Sequence, residues 1–160
     1  MTLMQQYNFA ELEQRVRTAI NVLFDRDAFL LQNNVNERSI SHKLAEYLQS
    51  EFEDWNVDCE YNRNHDARKE IYLQGEAGSL NDTDARTVFP DIIVHRRNTD
   101  DNLLVIEIKK STSTVSSDFD KRKLQAFTSA PFYYQFGLFL RFTTGQQDIH
   151  AYQMEWFIRH

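Results

Sequence analysis

Cysteine, glycine and proline are all scarce in this chain of 160 residues, which has one Cys, four Gly and two Pro. A single sulfur excludes an intramolecular disulfide framework and a zinc site built from thiolates, because both need several cysteines. So little glycine and proline excludes a low-complexity chain, while 12 Phe and 7 Tyr are too many for a disordered one. The composition therefore predicts one packed globular domain over residues 1–160, in a reducing compartment.

Long apolar runs are also missing from the sequence. A membrane-spanning helix needs about 20 predominantly apolar residues in succession, and no such run occurs. The N-terminal residues have neither the basic segment nor the apolar segment of a secretion signal. We therefore expect a soluble, cytoplasmic protein without a membrane partner.

Positive charge is in deficit, since Lys and Arg number 18 against 24 Asp and Glu, which gives a formal net charge of -6. Residues 1–62 hold 11 acids and 5 bases, whereas residues 63–160 hold 13 of each. Nucleic-acid affinity rests largely on the neutralisation of phosphates by Lys and Arg, so the acidic total argues against strong non-specific binding of a duplex. A local basic track remains compatible with this charge.

Apolar residues at steps of three and four predict two helices near the start of the chain. The first covers residues 9 to about 25, with an irregular continuation to residue 31. The second follows Asn36, a suitable N-cap, and reaches residue 52. Glu37 lies three residues before the apolar Ile40, so we expect its carboxylate on or near the inward face of the second helix.

Apolar runs in the rest of the chain predict further strands and one more helix. The predicted elements are strands at 57–61, 91–96, 103–109, 136–142 and 149–157, and a helix from Ser117 or Asp118 to about Thr128. A short strand near Ile71 and a mobile segment around residues 75–86 are expected between the first two strands. This order predicts the α/β class, with a central mixed β-sheet flanked by helices.

Three ionisable residues fall on the hairpin predicted for strands 91–96 and 103–109. The alternation of side chains along a strand places Glu107 and Lys109 on one face. The hairpin brings Asp91, at the start of the first strand, close to the end of the second. Burial of an acid and a base is costly unless they are paired or coordinate a ligand, so this cluster requires an explanation.

Two carboxylates in oxygen-rich surroundings are the ligand set expected for Mg²⁺ or Mn²⁺. Such an ion polarises a phosphodiester and generates hydroxide, and a nearby Lys stabilises the developing negative charge or positions the attacking water. Glu37 faces inward on the preceding helix and can reach the same cluster. The residues thus predict a metal site suited to phosphodiester hydrolysis.

The motif Pro90-Asp91, followed after 15 residues by Glu107-Ile108-Lys109, resembles the signature of the PD-(D/E)xK nucleases, which have the restriction-endonuclease-like fold. The segment Asn36-Glu37-Arg38-Ser39-Ile40 resembles the helix that carries an additional acidic residue in that superfamily, notably in archaeal Holliday-junction resolvases. The resemblance implies an αβββαβ core over residues 34–160, with residues 1–33 as an N-terminal helical addition.

The resemblance implies a role for each matching residue. Asp91 and Glu107 would be metal ligands for Mg²⁺ or Mn²⁺, Lys109 the catalytic lysine, and Glu37 an accessory ligand or outer-shell acid that assists catalysis. The implied activity is that of a nuclease, with DNA the favoured substrate and a homodimer one arrangement that cuts both strands of a duplex. Further candidates for nucleic-acid binding are Arg38, Lys121 and Lys123.

Two other interpretations stay open at the level of sequence. Glu107 and Lys109 can form a buried ion pair, with Asp91 capping the strand, in which case the cluster is structural. The chain can also be a non-catalytic interaction module that keeps the nuclease fold and docks a basic protein partner through its acidic N-terminal part.

Overall fold

The structure is a computed structural model that describes residues 7–61, 70–72, 85–87 and 89–159. Its elements are α1 (Phe9–Gln32), α2 (Glu37–Glu51), β1 (Asn56–Cys59), β2 (Glu70–Tyr72), β3 (Ala85–Thr87), β4 (Ile92–His95), β5 (Asn102–Lys110), α3 (Asp118–Phe127), β6 (Phe136–Phe142) and β7 (Tyr152–Ile158). No helix within these described ranges is both long enough and apolar enough to cross a membrane.

The two N-terminal helices begin at asparagine caps. The side-chain oxygen of Asn8 accepts a hydrogen bond from the backbone N–H of Glu11, and Asn36 does the same for Ser39, at 2.9 and 2.8 Å. Each cap satisfies a donor that the first helical turn leaves without a partner. Helix α1 has non-helical backbone angles at Asp27, where it is kinked. The predicted N-cap at Asn36 and the irregular continuation of α1 are both confirmed.

Five strands form one mixed sheet in the order β1-β4-β5-β6-β7. Strand β5 pairs parallel with β6, and the other three pairings are antiparallel. The α/β class and the central mixed sheet are therefore confirmed. Strands β4 and β5 are joined by the short turn that the sequence predicts, with Ile92 opposite Ile106.

Two predicted segments can be compared with the structure. Strand β2 confirms the short strand near Ile71, and it pairs with β3, which includes residues 85 and 86 at the end of the segment predicted to be mobile. Residues 75–84 of that segment lie outside the described residues, so its mobility stays a prediction. Strand β7 begins at Tyr152, not at residue 149, because Asp148 accepts a hydrogen bond from the backbone N–H of His150 and holds a turn there.

Helices cover the sheet on both faces, and alternate residues of each strand supply the two cores. On the α1 and α2 side, Ile106 and Ile108 of β5 belong to the larger core. On the α3 side, Val105 packs with Leu124 and Phe127 of the helix. The face of β5 that continues from Val105 to Glu107 and Lys109 is therefore the face that α3 covers.

Candidate functional site

Asp91 and Glu107 meet where β4 begins and β5 nears its end. The register that sets Ile92 opposite Ile106 brings Asp91 alongside Glu107. One carboxylate oxygen of Asp91, Oδ2, accepts a hydrogen bond from the backbone N–H of Ile108 at 2.8 Å, which fixes the orientation of the side chain. The structure thus brings together the two acids that the hairpin predicts.

Glu107 lies deep between the sheet and α3, with only 1% of the residue exposed. Burial and, after it, the negative charge of Asp91 raise the pKa of Glu107 well above its ordinary value. Two neighbouring carboxylates repel each other, so the Asp91–Glu107 pair favours a positive charge beside it.

The nearest ammonium to Glu107 comes from α3. Lys123 Nζ lies 2.6 Å from Glu107 Oε1 and donates a hydrogen bond to the carbonyl oxygen of Phe89 at 3.2 Å. This attraction lowers the pKa of Glu107 and opposes part of the rise caused by burial. Lys123 is buried in this structure, and its contact with nucleic acid stays a prediction.

Lys109 shares the strand face of Glu107 but does not pair with it. Its Nζ lies 2.7 Å from Oδ2 of Asp120 on α3, and its side chain is 8% exposed. Side chains two positions apart on a strand are separated by about 7 Å, so a helix packed over them offers closer partners. The alternative in which Glu107 and Lys109 form a buried ion pair with each other is therefore wrong. That alternative also has Asp91 capping the strand, and this agrees with the hydrogen bond that Asp91 accepts from the backbone N–H of Ile108.

Glu37 approaches the site from the other face of the sheet. It is the first residue of α2, and its Oε2 accepts a hydrogen bond from the backbone N–H of Lys110 at 3.0 Å. The predicted inward orientation of Glu37 is thus confirmed, with its carboxylate at the end of β5. The bond ties α2 to the strand that carries Glu107.

A cleft of about 420 Å³ gives solvent access to this region. Its lining residues are Glu37, Arg38, Ser41, His42, Cys59, Glu60 and Asp91. Asp91 belongs both to this cleft and to the carboxyl pair, so a small cation can approach the pair from the cleft. A larger cleft of about 580 Å³ lies at the opposite end of β5, near Tyr133 and Arg159. Of the described residues that line it, Asp100 is the one acid, so these residues offer no converging carboxylates.

Two residues expected to bind nucleic acid lie at the surface. Arg38, at the rim of the cleft, has a side chain that is 79% exposed and an Nη2 atom 3.2 Å from Glu60 Oε1. Lys121 of α3 pairs with Glu155 of β7 at 2.9 Å and lies over the ring of Phe139. Only Arg38 therefore lines the cleft that leads to Asp91.

The two carboxylates at this site suit only a cation that needs few ligands from the protein. Among residues 7–61, 70–72, 85–87 and 89–159 there is no group of three or more His, Cys, Asp or Glu side chains arranged to hold a metal ion. Mg²⁺, however, keeps several waters and binds through one or two carboxylates. The two neighbouring acids at the β4–β5 pairing supply such a pair. Asp91 and Glu107 therefore fit Mg²⁺ or Mn²⁺ and no metal that needs a full protein cage.

The sequence-based reasoning missed Asp120 and the buried role of Lys123. Both lie on α3, three residues apart and hence on one face, where they meet Lys109 and Glu107. The sequence contains a signal for these contacts. An acid and a base lie three residues apart on the helix, and an acid and a base lie two residues apart on the apolar strand, so the two elements can form two ion pairs.

Comparison of the chain with models of protein families, with curated proteins and with solved structures returned no match.

Proposed function

We propose that the chain is a nuclease that uses Mg²⁺ or Mn²⁺ to hydrolyse phosphodiester bonds, with DNA the favoured substrate. The observation that carries this proposal is that Asp91, which lines the cleft of about 420 Å³, lies opposite Glu107 where β4 and β5 pair. Two neighbouring acids favour a cation beside them, because their negative charges repel each other. A divalent cation there would face the cleft through Asp91.

The order of the elements supports the proposal. From α2 the chain continues through β1, β4, β5 and α3 to β6, with β5 and β6 parallel. This is the αβββαβ order that the resemblance to PD-(D/E)xK nucleases implies, with the β2–β3 hairpin inserted between β1 and β4. Pro90-Asp91 immediately precedes β4, and Glu107-Ile108-Lys109 lies on the adjacent strand β5, in agreement with the resemblance.

The residues of the chain would perform distinct tasks in such a reaction. Asp91 and Glu107 would hold the cation, and the backbone N–H of Ile108 would keep Asp91 in place. When bound, the cation supplies Lewis-acid polarisation of the phosphate and a water of lowered pKa. Glu37 would keep the end of β5 aligned through Lys110 and present its carboxylate to the same cleft as an outer-shell acid.

One observation favours the alternative of a non-catalytic interaction module. Lys109 and Lys123 are both engaged in buried ion pairs, and Glu107 is almost fully enclosed. A site that never binds metal needs such internal neutralisation. In that case the acidic N-terminal part of the chain would dock a basic protein, and no cation would bind.

A cleavage panel tests the proposed function. The purified chain is incubated with Mg²⁺ or Mn²⁺ and with duplex, single-stranded and branched DNA and RNA. We expect cleavage of a DNA substrate, reduced at least about 100-fold in Asp91→Asn and in Glu107→Gln. Asp100→Asn is the matched control, because it removes an acid from the other cleft and should cleave like the wild type.

Two outcomes would contradict the proposal. One is that no nucleic acid is cut with either metal ion. The other is that the Asp91 and Glu107 variants cut as well as the wild type. Co-purification of a stoichiometric basic protein with an uncleaving chain would favour the interaction module.

A further inference from the structure

Two buried ion pairs of opposite polarity connect β5 to α3. Along the strand, the acid Glu107 is followed by the base Lys109. Along the helix, the acid Asp120 is followed by the base Lys123. Lys123 reaches Glu107 at 2.6 Å and Lys109 reaches Asp120 at 2.7 Å. Of the two buried lysines, Lys123 is the one that contacts a proposed metal ligand.

The two lysines would respond differently to a cation at the carboxyl pair. The partner of Lys109 is Asp120, which is not a proposed ligand, so that ion pair would persist. The partner of Lys123 is Glu107, whose negative charge a cation would take. A buried ammonium without a counter-charge is costly, and among the described residues its other contacts are the uncharged carbonyl of Phe89 and the ring of Phe119. Lys123 would therefore need a new anion, and the phosphodiester is the anion that the proposed reaction brings.

We propose, resting on the proposed nuclease function, that Lys123 neutralises Glu107 while no divalent cation is bound and contacts the substrate phosphate once one is. Lys109, the lysine of the strand motif, then serves as a structural partner of Asp120. The working ammonium of the site thus comes from helix α3 and approaches from the side of Phe89, where β4 begins.

Calorimetric titration with Mn²⁺ tests this assignment without relying on cleavage. Lys123→Gln removes a positive charge next to the cation and keeps a hydrogen-bond donor to Glu107. We expect it to bind Mn²⁺ about tenfold more tightly than the wild type. Lys123→Arg keeps the charge and should bind Mn²⁺ like the wild type, which separates an effect of charge from an effect of packing.

The matched control removes the neighbouring ion pair as a whole. In the double variant Lys109→Met with Asp120→Asn, we expect the Mn²⁺ affinity to stay within about threefold of wild type, because neither residue contacts the carboxyl pair. Cleavage should fall about 100-fold in Lys123→Gln, the usual cost of losing one group that stabilises developing charge.

Two results would overturn the assignment in different ways. If the wild type binds Mn²⁺ while Lys123→Gln leaves both affinity and cleavage unchanged, Lys123 is not the working ammonium and the nuclease proposal still stands. If the wild type binds no Mn²⁺ even with DNA present, the nuclease proposal itself fails and the assignment falls with it.

A measurement on the unaltered chain covers the case in which Lys123→Gln does not fold. The buried ammonium groups of Lys109 and Lys123 should give slowly exchanging NMR signals. Addition of Mg²⁺ should shift the Lys123 signal and leave the Lys109 signal in place. A shift of the Lys109 signal with Lys123 unmoved would overturn the assignment.

Discussion

The Nζ atom of Lys123 lies 2.6 Å from Oε1 of Glu107, in an ion pair whose two side chains are both more than nine-tenths buried. The neighbouring pair, Lys109 with Asp120, has the opposite polarity between strand and helix. Helix α3 therefore meets β5 through charges as well as through Leu124 and Phe127. The same contact that positions the helix also controls the charge at the carboxyl pair.

Removing one partner of the Lys109–Asp120 pair should lower the free energy of unfolding more than removing both partners. Lys109→Met alone leaves Asp120 without its counter-charge and should lower the free energy of unfolding by about 3 kcal/mol. The double variant with Asp120→Asn should recover most of that loss, because no buried charge is then left without a partner. Urea denaturation of the two single variants and the double variant measures this. Additive losses would contradict the pairing.

Asp58 should make the fold sensitive to acid. Burial of the carboxylate opposes its ionisation, but hydrogen bonds from His95 and Arg97 outweigh this and hold the pKa of Asp58 well below its usual range. A carboxyl group whose pKa is lower in the folded than in the unfolded state stabilises the fold above the unfolded value of about 3.9. That contribution is lost as the pH falls below about 4.

Asp58→Asn measures this contribution. We expect the variant to be about 1–2 kcal/mol less stable than the wild type near neutral pH, because two charge-assisted hydrogen bonds are weakened. The difference should shrink as the pH is lowered below about 4, since the wild type then loses the same charge. A difference that is constant across this pH range would show that Asp58 acts through packing alone.

Glu37 should stabilise the end of β5 even when no metal ion is present. Its carboxylate accepts the hydrogen bond of the Lys110 N–H, so Glu37→Ala leaves that donor without its partner. The expected loss is about 1–3 kcal/mol in the free energy of unfolding. Glu37→Gln keeps an acceptor oxygen and should lose less. Equal stability of Glu37→Ala and the wild type would show that Glu37 does not stabilise the end of β5.

The local parts of this fold follow from sequence because short-range rules decide them. The cap at Asn36 depends on one side chain and one turn of helix. The approach of Asp91 to Glu107 depends on the register of a single hairpin with a short turn. Both features are set by residues close together in the chain, so a pattern of residue types is enough to predict them.

The partners of the two lysines depend on long-range packing that no local pattern specifies. Lys109 does not pair with Glu107, its neighbour on the strand face. Helix α3 packs on β5 through Leu124 and Phe127, and this packing places Asp120 beside Lys109 and Lys123 beside Glu107. If α3 were rotated about its axis by the angle between two successive residues, it would present other side chains to the strand. The motif Glu107-Ile108-Lys109 predicts which residues share a face, and the docking of the helix decides what they contact.

The most direct test of a metal site at the carboxyl pair is a calorimetric titration of Mn²⁺ into the wild type and into Asp91→Asn, with a DNA oligonucleotide present. Asp91→Asn keeps the shape of the side chain and an oxygen for the Ile108 N–H, so the fold should be preserved. The account predicts a saturable binding isotherm for the wild type and none for the variant. No binding by the wild type, or equal binding by both chains, would contradict it.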